Sequence, residues 1–182
     1  FWLKDAPPNL IKTSSILKLK ISQVKSFRLK STREKTYQMA DFPFLFGEER
    51  QPESNFLLIP KVSSENRKYI PIGYLTPKDI ITDKVFALPN AKLFHFGILT
   101  SKFHMVWVDY VCGRLKSDFR YSKDNVYNNY PWPENPSDKQ IKTIEEKAQN
   151  VLDVRASFPN SSLADLYNPL TMPPALVKAH NE

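Results

Sequence analysis

Glycine and cysteine are scarce in this 182-residue chain: four glycines and one cysteine. With so few glycines there is no G-x-G-x-x-G and no G-x-x-x-x-G-K-[ST], which excludes the usual backbone cradles for dinucleotides and nucleoside triphosphates. A lone cysteine, Cys112, cannot close an intramolecular disulfide, so a reducing compartment is expected. Histidine and cysteine are never clustered, which leaves no recognisable metal-ligand spacing. No apolar run reaches 18 residues, and no basic segment leads into an apolar one, so neither membrane insertion nor secretion is expected. Internal repeats and low-complexity tracts are also absent.

Charge is present but uneven. Residues 1–38 hold nine cations (Lys4, Lys12, Lys18, Lys20, Lys25, Arg28, Lys30, Arg33, Lys35) against Asp5 and Glu34, which accounts for the whole net charge of +7. Basicity confined to one end points to an anionic partner along that segment, or to a solvated helix face. Phe1-Trp2-Leu3 starts abruptly, without methionine, and leads to the expectation that the chain is cut from a longer protein.

Pro7-Pro8 predicts a turn, and Leu10 to about Lys30 a basic amphipathic helix with Leu17, Ile21, Val24 and Phe27 on one face. A short second helix is expected over Thr32 to Ala40. From Phe42 the texture changes to short apolar runs: Phe44–Phe46, Phe56–Pro60, Tyr69–Tyr74 and Val85–Leu88 read as strands of a small sheet. Ser101 or Thr100 would cap a helix carrying Phe103, Val106, Trp107, Tyr110 and Val111, ended by a left-handed Gly113. After it, Arg114 to Ser122 alternates like a strand with Arg114, Lys116, Asp118 and Arg120 on one face. Ser137 caps a helix with Ile141, Ile144, Ala148, Val151 and Leu152 inward, and short helical pieces follow Pro159. The expected class is α+β: a small mixed, largely antiparallel sheet with a buried helix, flanked by an N-terminal basic helix and C-terminal helices. Residues 1–40 would be a basic helical connector, 41–134 a central domain and 135–182 a C-terminal helical segment.

Four segments carry a resemblance: FGILTSKFHMVWVDYVCGRLKSDFRYS at 96–122, NVYNNYPWP at 125–133, PKVSSENRKYIPIGYL at 60–75 and SSLADLYNPLTMPPALVKAH at 161–180. Together they resemble, in order, the target-recognition and C-terminal region of bacterial DNA adenine methyltransferases of the single-chain type II restriction-modification kind. That resemblance implies a partner in double-stranded DNA, an upstream methyltransferase domain of the same chain that binds S-adenosylmethionine, and a bacterial cytoplasmic setting. No cofactor is expected in the present residues, and the Asn/Asp-Pro-Pro-aromatic motif of the catalytic half is missing. Asn129-Tyr130-Pro131-Trp132 has the wrong order for it. His95 and His104 have no nucleophile or paired carboxylate beside them and read as structural.

Ser64, Glu65, Asn66, Arg67 and Lys68 form a dense polar run between two strands, with the donor and acceptor groups that read base edges in the major groove. If the segment is extended, Glu65 and Arg67 point the same way. Arg114, Lys116, Ser117 and Arg120, with Lys25 and Arg28 of the N-terminal helix, are candidates for phosphate contacts, which set register without reading sequence. An ion pair between Arg114 and Asp118 is the structural alternative. The competing functional class is a protein-interaction or scaffolding domain whose basic helix docks an acidic surface.

Overall fold

The computed structural model describes residues 1–182, which fall into two compact units, Phe1–Gln51 and Pro52–Glu182. In the first, helices α1 (Pro8–Thr13) and α2 (Ser15–Leu29) replace the single expected helix. Ser14 breaks it, because its extended backbone ends α1 while its hydroxyl accepts from Leu17 N–H (3.3 Å) and starts α2. The inward stripe runs from buried Leu17 through half-buried Ile21 and Val24 to Arg28, whereas Phe27 is 73% exposed. After α3 (Glu34–Gln38), the Arg28 guanidinium donates to three carbonyls, Met39 and Phe42 (2.8 Å each) and Leu45 (2.7 Å). Those bonds fold residues 39–45 into turns, so Phe44–Phe46 is not the strand its composition predicts.

The second unit is α+β and holds two three-stranded antiparallel sheets. The first has the order β3–β1–β4, from β1 (Phe56–Pro60), β3 (Gly73–Leu75) and β4 (Val85–Pro89). The second has the order β2–β6–β5, from β2 (Val62–Ser63), β5 (Gly113–Leu115) and β6 (Asp118–Arg120). Lys61 is the hinge between them: its N–H donates to Lys84 O (3.0 Å) on the β4 side, and its carbonyl accepts from Tyr121 N–H (2.9 Å) on the β6 side. The expected strand Tyr69–Tyr74 pairs only from Gly73. Pro71 has no N–H to give a ladder, and Ile70 N–H is taken up by Met105 Sδ (3.3 Å).

Helices α4 (Leu93–Leu99) and α5 (Lys102–Val111) follow, separated where the Ser101 hydroxyl accepts from His104 N–H at 3.1 Å. The inward face of α5 is His104 and Val108, with Trp107 and Val111 of the predicted stripe half-buried against the core beside them, whereas its Phe103, Val106 and Tyr110 are 57–85% exposed. Periodicity alone cannot say which of two apolar stripes faces inward, and α5 has both. Gly113 lacks a left-handed φ as well; Cys112 leaves the helix in extended conformation and the chain runs straight into β5.

Ser137 and Gln140 cap α6 (Asp138–Ala156) reciprocally. The helix lies so close to α4 that a Cβ on Gly97 would stand 2.7 Å from Ile144 Cγ2. The last two helices are α7 (Leu163–Leu166) and α8 (Pro174–Asn181). One buried polar network ties these C-terminal elements to Ile72, just before β3, and to Thr100, between α4 and α5. Arg155 Nη1 donates to Ile72 O (2.8 Å), and Nε and Nη2 donate to the Tyr167 hydroxyl, Nε at 2.9 Å. His180 Nδ1 faces Thr100 O at 3.2 Å and must carry the proton, since a carbonyl only accepts. His180 Nε2 therefore accepts from the Tyr167 O–H at 2.6 Å. The guanidinium has no carboxylate partner; the Phe96 and Tyr167 rings flank it, 5.0 and 4.8 Å away.

Burial, with Arg155 nearby, holds His180 down near 4, and burial does the same to His104, whose Nε2 meets the Tyr121 hydroxyl at 3.0 Å. Both histidines fold neutral and charge on unfolding, so the unfolded chain binds the extra protons. Stability is thus full above about pH 6.5 and lost as pH falls toward 4. Going from pH 6.5 to 5.5 should remove about 1 kcal/mol per histidine. Urea melts across that range check this; a flat profile would mean that the rings are not held neutral.

Candidate nucleic-acid interface

Residues 114–120 form a hairpin rather than one strand. Lys116 sits at its tip with φ of +58°, the left-handed geometry of a tight two-residue turn, and Ser117 completes the reversal. In the register, Arg114 lies opposite Phe119 and Gly113 opposite Arg120. Directly paired residues share a face, so Arg114 and Arg120 stand on opposite faces and the expected cationic row is broken up. The sequence carried a trace of this: an apolar partner was due at 117 in the alternation of Leu115, Phe119 and Tyr121, and Ser117 stands there.

Arg114 is held by its surroundings. Its guanidinium lies 4.1 Å from the Phe119 ring centre, bonds Asp109 Oδ1 at 2.8 Å and reaches Ser117 O at 3.3 Å. It braces the hairpin against α5, and its acidic partner is Asp109 rather than Asp118. Lys116, Ser117 and Arg120 are exposed.

The Ser64–Lys68 run begins with a tight turn in place of the extended segment. Arg67 N–H donates to Ser64 O (3.2 Å), and the Ser64 hydroxyl accepts from Asn66 N–H (3.3 Å). Glu65 and Asn66 occupy the exposed corner, so Glu65 and Arg67 are not parallel neighbours as an extended chain would make them. Arg67 is partly withdrawn, its Nε buried with no hydrogen-bond partner, while Lys68 is exposed. Asp118, which sequence reasoning left out of the candidate site, joins the two tips: its Oδ1 accepts from Glu65 N–H at 3.4 Å. Because β2 pairs directly with β6, the strands carry turn 64–67 and tip 116–117 to the same end of the second sheet.

That end presents Lys68 and Lys116 as cations and Glu65, Asn66 and Ser117 as short-range acceptors and donors, while Arg120, opposite Val62 and Gly113, is exposed at the other end of β6. The set can bind a polyanion and discriminate hydrogen-bonding edges. His104, fully buried, and His95, whose Nδ1 accepts from Lys92 N–H (3.0 Å) at the start of α4, both serve the fold. In the N-terminal unit Lys25 is exposed on α2, whereas the half-buried Arg28 gives three hydrogen bonds to backbone carbonyls and braces residues 39–45 instead of contacting phosphate.

Residues 1–134 match the family model described as MmeI, target recognition domain, and residues 136–182 the one described as MmeI, C-terminal domain. The protein called DNA methyltransferase A from Bacillus subtilis (strain 168) is 39% identical over 181 residues, covering all of this chain and 20% of that relative. A solved structure, described as the type IIL restriction-modification enzyme MmeI in complex with DNA, matches with a TM-score of 0.86 and 43% identity over 99% of this chain and 24% of its own. The chain thus spans only a fifth to a quarter of the proteins it matches.

Proposed function

The chain belongs to the family of MmeI target-recognition and C-terminal domains, and we propose that it chooses the DNA sequence on which a larger bacterial restriction-modification methyltransferase acts. The observation that carries this reading is the joined edge of turn 64–67 and hairpin tip 116–117 in a chain so similar to a protein solved in complex with DNA. On this edge Glu65 and Asn66, at the exposed corner, are assigned to base edges, with Ser64 and Arg67 shaping the turn and Lys68 beside it. Lys116 and Ser117 at the tip, and Arg120 further along β6, are assigned to phosphates; Lys25 of the N-terminal unit is a separate phosphate candidate on α2. Arg114 orients the hairpin.

Methyl transfer and S-adenosylmethionine belong, in this reading, to the rest of the parent chain in the bacterial cytoplasm. In support, none of the four glycines has a positive φ, and none lies in a loop leading from a strand into a helix. No helix is long and apolar enough to cross a membrane. In this reading residues 1–51 form the basic N-terminal unit, and 135–182 are a helical support for the recognition region.

Duplex affinity of the full-length protein, measured against salt, tests the assignment. Lys116→Ala and Arg120→Ala should each weaken cognate and unrelated duplexes alike and reduce the log–log salt slope by roughly one for each phosphate no longer neutralised. Arg114→Ala should instead cost about 1 kcal/mol of stability through its ring and surface ion-pair contacts, with the slope unchanged. Unaltered slopes in both Lys116→Ala and Arg120→Ala would remove the hairpin from the interface, and binding to acidic proteins in preference to DNA would favour the scaffolding alternative.

A further inference from the structure

A cavity of about 180 Å³ opens where the two sheets meet. Its walls are Phe86 and Leu88 of β4 on one side and Tyr121 and Tyr127 on the other, with Lys123 and Asn128 at its mouth. Ile59 lies opposite Phe86 in the register and closes the floor. Lys123–Tyr127 is a single π-helical turn, whose N-cap Ser122 accepts from Asn125 N–H. Such turns are rare and concentrate at functional sites. Here the turn sets Lys123, Tyr127 and Asn128 around one opening.

Size limits the occupant. The space is below the roughly 300–1,000 Å³ of drug-sized ligand sites and close to the ~150 Å³ cavity that takes up one benzene. It suits one aromatic ring system. Charge adds a preference: Lys123 lines the cavity with Asp124 3.8 Å from its Nζ, and Lys61, outside the lining, has its Nζ 4.9 Å from the Phe86 ring centre. Asn128 offers both an amide donor and an acceptor. Two cations, one amide and a slot between aromatic rings match a nucleobase flanked by phosphates.

Location agrees. Lys61, whose Nζ lies over the Phe86 ring, is separated from Ser64, at the start of the recognition turn, by the length of β2. At about 3.3 Å per residue that is roughly 10 Å, about three base-pair steps at 3.4 Å each. We propose that this cavity receives an unpaired nucleobase displaced from the DNA beside the recognised site, stacked between Phe86 and Tyr127 with Asn128 on its edge. Stacking on aromatic side chains tolerates any base, so the site would hold opened DNA without adding a strict sequence requirement.

This inference rests on the DNA reading above, and its test separates the two. Duplexes carrying 5-iodouracil singly at positions across and beside the bound site would be irradiated on the full-length protein and the adducts mapped by mass spectrometry. Adducts on Phe86 or Tyr127, reduced at least tenfold by Leu88→Trp, which fills the slot, and severalfold by Asn128→Ala at the exposed rim, are the expected result. Both variants are checked for unchanged melting. Normal duplex affinity with adducts only at the hairpin or the 64–67 turn would overturn the cavity assignment and leave the DNA reading standing. Absence of duplex binding would overturn both. Deoxyuridine monophosphate and its 5-iodo form serve as the free-nucleotide arm: filling of the slot by these at micromolar concentration without DNA would overturn the DNA origin of the base.

Discussion

Tyr167→Phe is expected to lower the unfolding free energy by about 3–5 kcal/mol, the range for a buried charge stripped of its partner. The phenol oxygen accepts from Arg155 Nε and Nη2, and its proton goes to His180 Nε2. Phenylalanine would keep the ring and remove all three bonds, leaving a guanidinium only 8% exposed with one carbonyl, that of Ile72, and two ring faces. At about 2–4 °C per kcal/mol for a protein of this size, the melting point should fall by roughly 10 °C. The diagnostic control is the double variant Tyr167→Phe with Arg155→Met. Removing the charge together with its partner should recover a large part of the loss, because apolar replacement of buried ionic groups is often nearly neutral. A double variant less stable than Tyr167→Phe alone would show that hydrogen-bond geometry, not the orphaned charge, sets the cost. Since Arg155, Tyr167 and His180 sit on α6, just beyond α7 and on α8, and contact residues 72 and 100, this network fastens the C-terminal segment to the residue before β3 and to the junction of α4 and α5.

The second large effect concerns sequence choice. Glu65→Ala and Asn66→Ala in the full-length protein should each relax preference at a base pair by about 1–3 kcal/mol, the worth of one good base-edge contact, while phosphate-driven binding to unrelated duplexes stays nearly constant. The two residues form the exposed corner of a turn anchored by Asp118, so Asp118→Ala should loosen the same preference indirectly by releasing Glu65 N–H. Competition binding with single-base-pair variants of the site reads these outcomes. A uniform loss across all duplexes would move both corner residues to the phosphate-contacting set.

Much of the fold was legible because local chemistry agreed with tertiary packing. Ser101 and Ser137 cap the helices their spacing predicted, and β1 and β4 fall where branched and aromatic residues bunch. What escaped depended on contacts distant in sequence. Phe44–Phe46 has strand composition, yet its neighbourhood is fixed by Arg28, a residue read as a phosphate ligand. The α5 helix bears two apolar stripes, and the tertiary fold buries the one containing His104. Arg155 did leave a mark: it continues the Ala148–Val151 stripe of α6, and a cation on an apolar stripe signals a buried network. The recognition edge was half legible. Its residue types were evident at 64–68 and 114–120, but the two turns that replace extended chain, and the Asp118 bridge between them, follow from pairing of strands more than fifty residues apart.

The most direct test of the recognition edge is selection from a randomised duplex pool by the full-length protein, comparing the wild type with the Glu65→Ala/Asn66→Ala variant by sequencing the bound fraction. A motif that loses information at one or two adjacent positions and keeps the rest is the predicted result. An identical motif, with equal information at every position, would contradict the assignment of sequence choice to this edge.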